Sequence, residues 1–494
     1  MTVTADIQQS VRHPDRLFID GQWVAPASAS TIDVVDSTNE QVFLRVAEAG
    51  AADLDRAIAA ARSAFDEGPW PSLTHVERAQ YLRRLGAELK TKGDVLTELW
   101  PRESGALASF APHTAPMAAG VFEYYAGLAD TFPFEEKAKP SLGGFGLLVR
   151  EPVGVVGAII PWNFPMHLAV YKVAPALIAG CTLVLKAAPD APSAAYVLAE
   201  CAEAAGLPPG VLNIVTADRE VSELLVTDPR IDKIAFTGST LAGRRIASLL
   251  GGRIARYTLE LGGKSAAVVL DDADLAKAAT ALSRAECFLA GQVCASLTRI
   301  VVPRRVQDEF VEALAQTFSQ VVVGDPYDAR TQMGPLASAR QRDRVEGYIR
   351  AGVDGGATLV TGGGRPAHLE RGFYIEPTVF AGVDNSSTIA QEEIFGPVLS
   401  VIPADDEADA IRIANDTIYG LNAAVFTEDV DRARAVAAKL RSGTVGHNAV
   451  RADTDIAFGG FKQSGIGREG GTEGLLPYLE TKTIILDEAP ARYR

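Results

Sequence analysis

Three polar side chains stand at breaks between apolar runs, where their chemistry would be usable. Cys294 lies in Phe288-Leu-Ala-Gly-Gln-Val-Cys294-Ala-Ser-Leu-Thr298, between a helix-like stretch over Ala273–Leu289 and a β-branched run over Thr298–Val302. Backbone N–H groups freed at such a break can lower a thiol's pKa and make it a nucleophile. An inert buried cysteine is the alternative. Asn163, in Pro161-Trp-Asn-Phe-Pro165, presents an amide N–H₂ at the end of the apolar run Val153–Ile160. It suits an oxyanion donor, or equally a turn-forming residue in a rigid loop. Glu260 ends the run Tyr257–Leu261 in Leu259-Glu-Leu-Gly-Gly-Lys264. Burial there raises a carboxyl's pKa and makes it a general base, unless a salt bridge to Lys264 or Arg256 claims it.

Two further motifs suit a nucleotide. In Phe236-Thr-Gly238-Ser239-Thr-Leu-Ala-Gly243 a strand turns into a helix through glycine and serine. Such a join favours an anion at the helix N-terminus, although plain Ser/Thr capping has the same look. Glu392-Glu393-Ile-Phe395-Gly-Pro397 places acids beside an aromatic before a turn. That arrangement suits ribose hydroxyls and a flat ring, or a solvated acid and a core phenylalanine.

The elements that must hold these residues follow from periodicity. Apolar residues recur at helical spacing over Ala51–Phe65, again from Val76 to Leu89, and over Ala115–Ala129. From Val153 continuous apolar strands (Val153–Ile160, Thr182–Lys186, Val211–Val215, Ile231–Phe236, Tyr257–Leu261) alternate with helices. This pattern predicts a Rossmann-like parallel sheet covered on both faces. A second α/β alternation follows, with strands at Ala266–Leu270, Thr298–Val302, Thr358–Thr361, Val398–Pro403 and Ala423–Phe426. Residues 133–152 are punctuated by proline and glycine, as in a linker or exposed hairpin, and Thr481–Asp487 is extended.

Composition narrows the function class. The 494 residues carry 47 Lys+Arg against 62 Asp+Glu, a net charge of −15, so neither nucleic acid nor an anionic membrane is an expected partner. Four cysteines without a C-x-x-C pair, and six histidines without ligand spacing, predict no disulfide framework and no metal site. Met1 to Arg16 has no apolar core and no long apolar run occurs elsewhere, which predicts a cytoplasmic chain without a secretory signal.

Taken in order, the motifs resemble the NAD(P)-dependent aldehyde dehydrogenase superfamily from Phe18-Ile-Asp-Gly21 to Glu480-Thr-Lys-Thr483. The resemblance implies an α/β fold with a cofactor domain (1–132 and 153–262), a catalytic domain (263–463) and an oligomerisation element (133–152 and 479–494). It implies a homotetramer, or else a homodimer. Cys294 would attack an aldehyde, Asn163 and the Cys294 N–H would hold the oxyanion, and Glu260 would activate water against the thioester. Lys172 and Glu469 match a proton relay. Ile159, Trp162, Lys186, Phe236, Gly238, Ser239, Gly243, Leu261, Glu393 and Phe395 match cofactor positions. Leu168, Tyr171, Phe288 and Phe458 match the substrate tunnel, whose apolar character suggests a hydrophobic or aromatic aldehyde.

The cofactor expectation is NAD, with NADP open. Pro189 stands where NAD-preferring relatives often carry a ribose-binding glutamate. Arg219 is flanked by Asp218 and Glu220, which oppose a 2′-phosphate. A cofactor-free cysteine hydrolase and a non-catalytic member of the fold are the rival readings. The first leaves the nucleotide motifs idle, and the second leaves Cys294, Glu260 and Asn163 without work.

Overall fold

In the computed structural model, residues 10–453 and 455–494 are described. Part of the N-terminal stretch read for a secretory signal, residues 1–9, lies outside them. The described residues form two large α/β sheets, a small three-stranded sheet and a two-stranded one, Thr31–Val35 with Val42–Ala47. Across the first sheet the strands run Gly465–Ile466, Arg256–Glu260, Lys233–Thr237, Val155–Ile159, Thr182–Ala187, Leu212–Thr216, Leu17–Ile19 and Gln22–Val24. The five strands from Arg256–Glu260 to Leu212–Thr216 are parallel. Four of them, Val155–Ile159, Thr182–Ala187, Leu212–Thr216 and Lys233–Thr237, are buried along their whole length. This explains their largely apolar sequences, since helices cover both faces.

The connections leave Val155–Ile159 in opposite directions. The chain next builds Thr182–Ala187 and Leu212–Thr216 on one side, then returns to lay Lys233–Thr237 and Arg256–Glu260 on the other. Order therefore reverses beside Val155–Ile159, the kind of switch point at which parallel α/β sheets take ligands outside the C-terminal ends of their strands. Trp162, Asn163, Lys186, Gly238 and Glu260 all lie at those ends.

The second sheet runs Thr358–Thr361, Thr378–Ala381, Val398–Ala404, Arg299–Pro303, Ala266–Val269, Asn422–Phe426 and Thr444–His447. Only its first pair is antiparallel. The expected strands are present within a residue or two, and two more appear. Thr378–Ala381 is a four-residue piece behind Pro377, and Thr444–His447 contains Gly446 and His447, so neither has the length or pattern that marks a strand. The helix that follows strand Val155–Ile159 spans Pro165–Ala179 and is buried on nearly every side. Gly93–Ser104 is a helix that periodicity did not reveal, because Pro101 sits inside it.

Residues 133–152 form an antiparallel hairpin, Glu135–Ala138 with Phe145–Pro152. Phe145–Pro152 pairs in turn with the C-terminal strand Leu479–Leu486. Among the described residues, no helix is long and apolar enough to cross a membrane.

Candidate active site

Cys294 follows a contorted loop. Helix Leu275–Cys287 ends, and Leu289, Ala290 and Gly291 take left-handed backbone angles in succession (φ 51°, 51° and 70°). Leu289 and Ala290 carry a Cβ, so each costs roughly 1–2 kcal/mol and persists only where neighbours enforce it. Gln292 is one enforcer. Fully buried, its amide donates to the carbonyls of Ser104 (3.1 Å) and Leu289 (3.0 Å) and accepts from the Ala337 N–H (2.9 Å). Beyond the cysteine, Asn422 holds the Ala295 carbonyl (2.9 Å), and a Cβ on Gly263 would collide with the carbonyl of Cys294 itself.

Asn163 meets this loop directly. Its Nδ2 donates to the Gln292 carbonyl at 2.9 Å. The Asn163 carbonyl accepts from Trp100 Nε1 (2.8 Å), and the Trp162 carbonyl from Ser104 Oγ (2.6 Å). Helix Gly93–Ser104 thus fastens the Pro-Trp-Asn-Phe-Pro loop, while Ser104 also holds Gln292. An asparagine amide has two N–H donors, and Gln292 uses one.

The thiol departs from expectation. Its pKa is raised rather than lowered, chiefly by burial and then by the carboxyls of Glu393 and Glu260. The N–H groups of Ala295 and Cys294 do favour the thiolate, as the break in structure suggested, but burial outweighs them. Cys294 therefore rests as a thiol.

Glu260 is 2% exposed, and neither carboxyl oxygen has a hydrogen-bond partner. The anticipated salt bridges do not form. Arg256 pairs with Glu480 at 2.7 Å, and Lys264 lies among Glu286, Glu392 and Glu393. Burial, then the nearby Glu469, raises Glu260 well above the carboxylate range, while Lys172 and Arg468 oppose them. Lys172 Nζ is itself buried, 2.6 Å from both Glu469 Oε1 and Thr237 Oγ1. The matched pair is thus an ion pair close enough to Glu260 to act on its charge.

At the switch point, Ser239 caps helix Thr240–Gly251 by accepting from the Ala242 N–H (3.2 Å). A Cβ on Gly243 would reach Leu261 at 2.5 Å, so glycine lets this helix close on the strand end, and the Phe236 ring lies under the turn. Lys186 is buried at the next strand end beside Ile159, its pKa pushed down to about 8 by burial while Asp190 and Asp218 support its charge. Trp162 meets Phe395 edge-on at 5.4 Å. Glu393 Oε1 accepts from the Gly263 N–H (3.1 Å), and burial raises its carboxyl to about 7. A helix N-terminus, a buried lysine and a carboxyl converging on an aromatic pair fit a dinucleotide. Among the described residues, no three His, Cys, Asp or Glu side chains group as metal ligands.

The matched tunnel residues separate into groups. Phe288 packs against Phe110 (4.7 Å) and Phe164 (5.7 Å), with Trp100, Leu289 and Val293 in the same cluster. Tyr171 stacks edge-on with His167 at 4.6 Å, and burial holds that imidazole neutral with a pKa of about 4. Leu168 packs on the core of the first sheet, and Phe458 exchanges backbone bonds with Glu469 (2.7 and 2.8 Å). Sequence reasoning missed Trp100, Phe110, Gln292 and Ser104. Of these, only Gln292 was signalled, as a polar residue within an otherwise apolar loop.

The family model described as "Aldehyde dehydrogenase family" matches residues 23–484. A geranial dehydrogenase of Castellaniella defragrans is 45% identical over 95% of this chain and 98% of its own. The crystal structure of a Mycobacterium tuberculosis aldehyde dehydrogenase complexed with NAD+ is 46% identical, with TM-score 0.93, covering 96% of this chain and 98% of its own. A cysteine-to-alanine mutant of aldehyde dehydrogenase C from Pseudomonas syringae, complexed with NAD+ and octanal, is 42% identical with TM-score 0.93, covering 97% and 98%. At such identity over nearly the full length of both partners, sequence and fold agree: the chain belongs to the aldehyde dehydrogenase family.

Proposed function

We propose that this protein oxidises a hydrophobic aldehyde to its carboxylic acid with NAD, through a covalent Cys294 intermediate. The observation that carries this reading is that Asn163 bonds the Cys294 loop while the unpartnered carboxyl of Glu260 lies near enough to act on the Cys294 thiol. Cys294 Sγ, once its proton has passed to water, bonds the aldehyde carbon as the thiolate. The resulting oxyanion takes the free N–H of Asn163 and the backbone N–H of Cys294. When bound, NAD would supply the acceptor for the hydride whose loss turns this Cys294 adduct into a thioester. Glu260 then draws a proton from water, whose oxygen attacks the thioester and releases the acid and the thiol. Protons leave Glu260 toward the neighbouring Glu469–Lys172 pair.

Residues that would hold the cofactor are the helix N-terminus at Ser239, Lys186, Glu393 and the Trp162–Phe395 pair. Asp190 and Asp218 act on Lys186 and favour ribose hydroxyls over a 2′-phosphate, which supports NAD against NADP. The aromatic cluster of Phe110, Phe164 and Phe288, with a neutral His167, supports an apolar aldehyde. Relatives acting on geranial and crystallised with octanal point the same way. The edge strand Leu479–Leu486, with Ile485 exposed, supports assembly into a homotetramer or homodimer through the small sheet; a monomer by light scattering would contradict it.

The test is NADH absorbance with a panel of aliphatic, aromatic and cationic aldehydes, with NAD and NADP in parallel. We expect kcat/KM at least tenfold higher for apolar aldehydes and for NAD. Ester hydrolysis without NADH formation, or turnover retained in Cys294→Ser, would refute the reading.

A further inference from the structure

Glu286 lies beneath the nucleophile loop and has no part in the proposed chemistry. It occupies the last turn of helix Leu275–Cys287 and is 1% exposed. Its Oε2 accepts from the Ser296 hydroxyl. Its Oε1 bonds nothing and lies where a Cβ on Gly291 would come within 2.7 Å. The carboxyl therefore touches the loop three residues before Cys294 and two residues after it. Lys264, equally buried and with an unpartnered ammonium, faces Glu286 from the turn that follows Glu260. That turn also packs Gly263 on the Cys294 carbonyl and ties its N–H to Glu393.

The groups facing the Glu286 carboxyl are Lys264, Ser296, Cys287 and the Val398 N–H, with Arg299, Glu392 and Glu393 around Lys264. Burying an acid is unfavourable unless its interactions compensate. Here it braces a loop whose left-handed residues would relax if released. Gln292 restrains that loop from one side, and Glu286 from the other.

We propose that Glu286, backed by Lys264, is a positioning residue for the nucleophile, locking Gly291–Ser296 so that the Cys294 thiol and N–H serve the same carbonyl. The proposal rests on Cys294 being the nucleophile.

The test compares the full-length wild type with Glu286→Ala, Glu286→Gln and Ser296→Ala. The readouts are kcat, KM for NAD, and the pH midpoint of Cys294 alkylation by iodoacetamide, followed by mass spectrometry with Cys294→Ser as blank. A small misplacement of a reacting atom can cost on the order of a hundredfold in rate, so Glu286→Ala should lower kcat at least tenfold, with KM for NAD within threefold. Its alkylation midpoint should fall by at least one pH unit, as the half-buried thiol is released further into solvent. Glu286→Gln, whose amide still accepts from Ser296, should recover kcat to within threefold of wild type. Ser296→Ala should lose at least threefold in kcat and move the midpoint in the same direction. An unmoved midpoint with kcat within threefold of wild type in Glu286→Ala overturns the proposal. So does the same result in Ser296→Ala, should Glu286→Ala fail to fold, or a Glu286→Gln variant as impaired as Glu286→Ala. Alkylation requires neither aldehyde nor cofactor. A wild-type chain that forms no NADH therefore refutes the dehydrogenase reading and leaves the alkylation result to decide this one.

Discussion

Replacing Glu260 by glutamine separates its chemistry from its electrostatics. General-base catalysis contributes about 10²–10⁴-fold, so kcat should fall within that range. The loss should lie in deacylation: one NADH per site should appear quickly, then turnover should stall. Hydroxylamine, which cleaves thioesters without a base, should restore turnover. The same substitution should also affect stability. An unfolded glutamate titrates at about 4.3, and the buried one titrates well above that. Between the two values the folded chain holds the extra proton, so its stability falls as pH rises, by about 1.4 kcal/mol per pH unit at the steepest. Glutamine has no such slope. The thermal midpoint of Glu260→Gln relative to wild type should therefore climb from pH 5 toward neutrality. A kcat within threefold of wild type would refute the assignment as base. A midpoint difference that stays flat with pH would refute the account of Glu260 as a buried, unpartnered acid.

Other substitutions test the supporting geometry. Lys172→Met leaves Glu469 buried without its 2.6 Å partner and should cost about 3–5 kcal/mol, read by urea denaturation. Asn163→Ala removes an oxyanion donor and should lower kcat about 10²–10³-fold with little change in KM for the aldehyde. Lys186→Met should act in opposite senses on stability and binding. Burial pushes its pKa down to about 8, so the charged lysine costs the fold about 3 kcal/mol at neutral pH. The methionine variant should be more stable at pH 7 by up to that amount, lose the advantage above pH 10, and bind NAD at least tenfold more weakly by fluorescence titration.

The sequence alone determined the type of most elements and pointed to the candidate reacting groups. Strands buried on both faces, such as Val155–Ile159, must be continuously apolar, so their parallel arrangement was legible. Cys294, Asn163 and Glu260 were legible through the ordered set of motifs that resembles the family, since each by itself also admits a structural reading. Tertiary structure decided what those groups experience. Strand order placed the switch point beside Val155–Ile159, which depends on pairings between segments far apart in the chain, such as Val156 with Lys233. Helix Gly93–Ser104, concealed by Pro101, supplies Trp100 and Ser104 to a loop some sixty residues later. Cys294 shows the division most clearly. Its local backbone favours a thiolate, yet burial near two carboxyls from distant segments holds it as a thiol. Charge and solvation at a point are summed over everything nearby in space, and neighbours in the chain contribute only part of that sum.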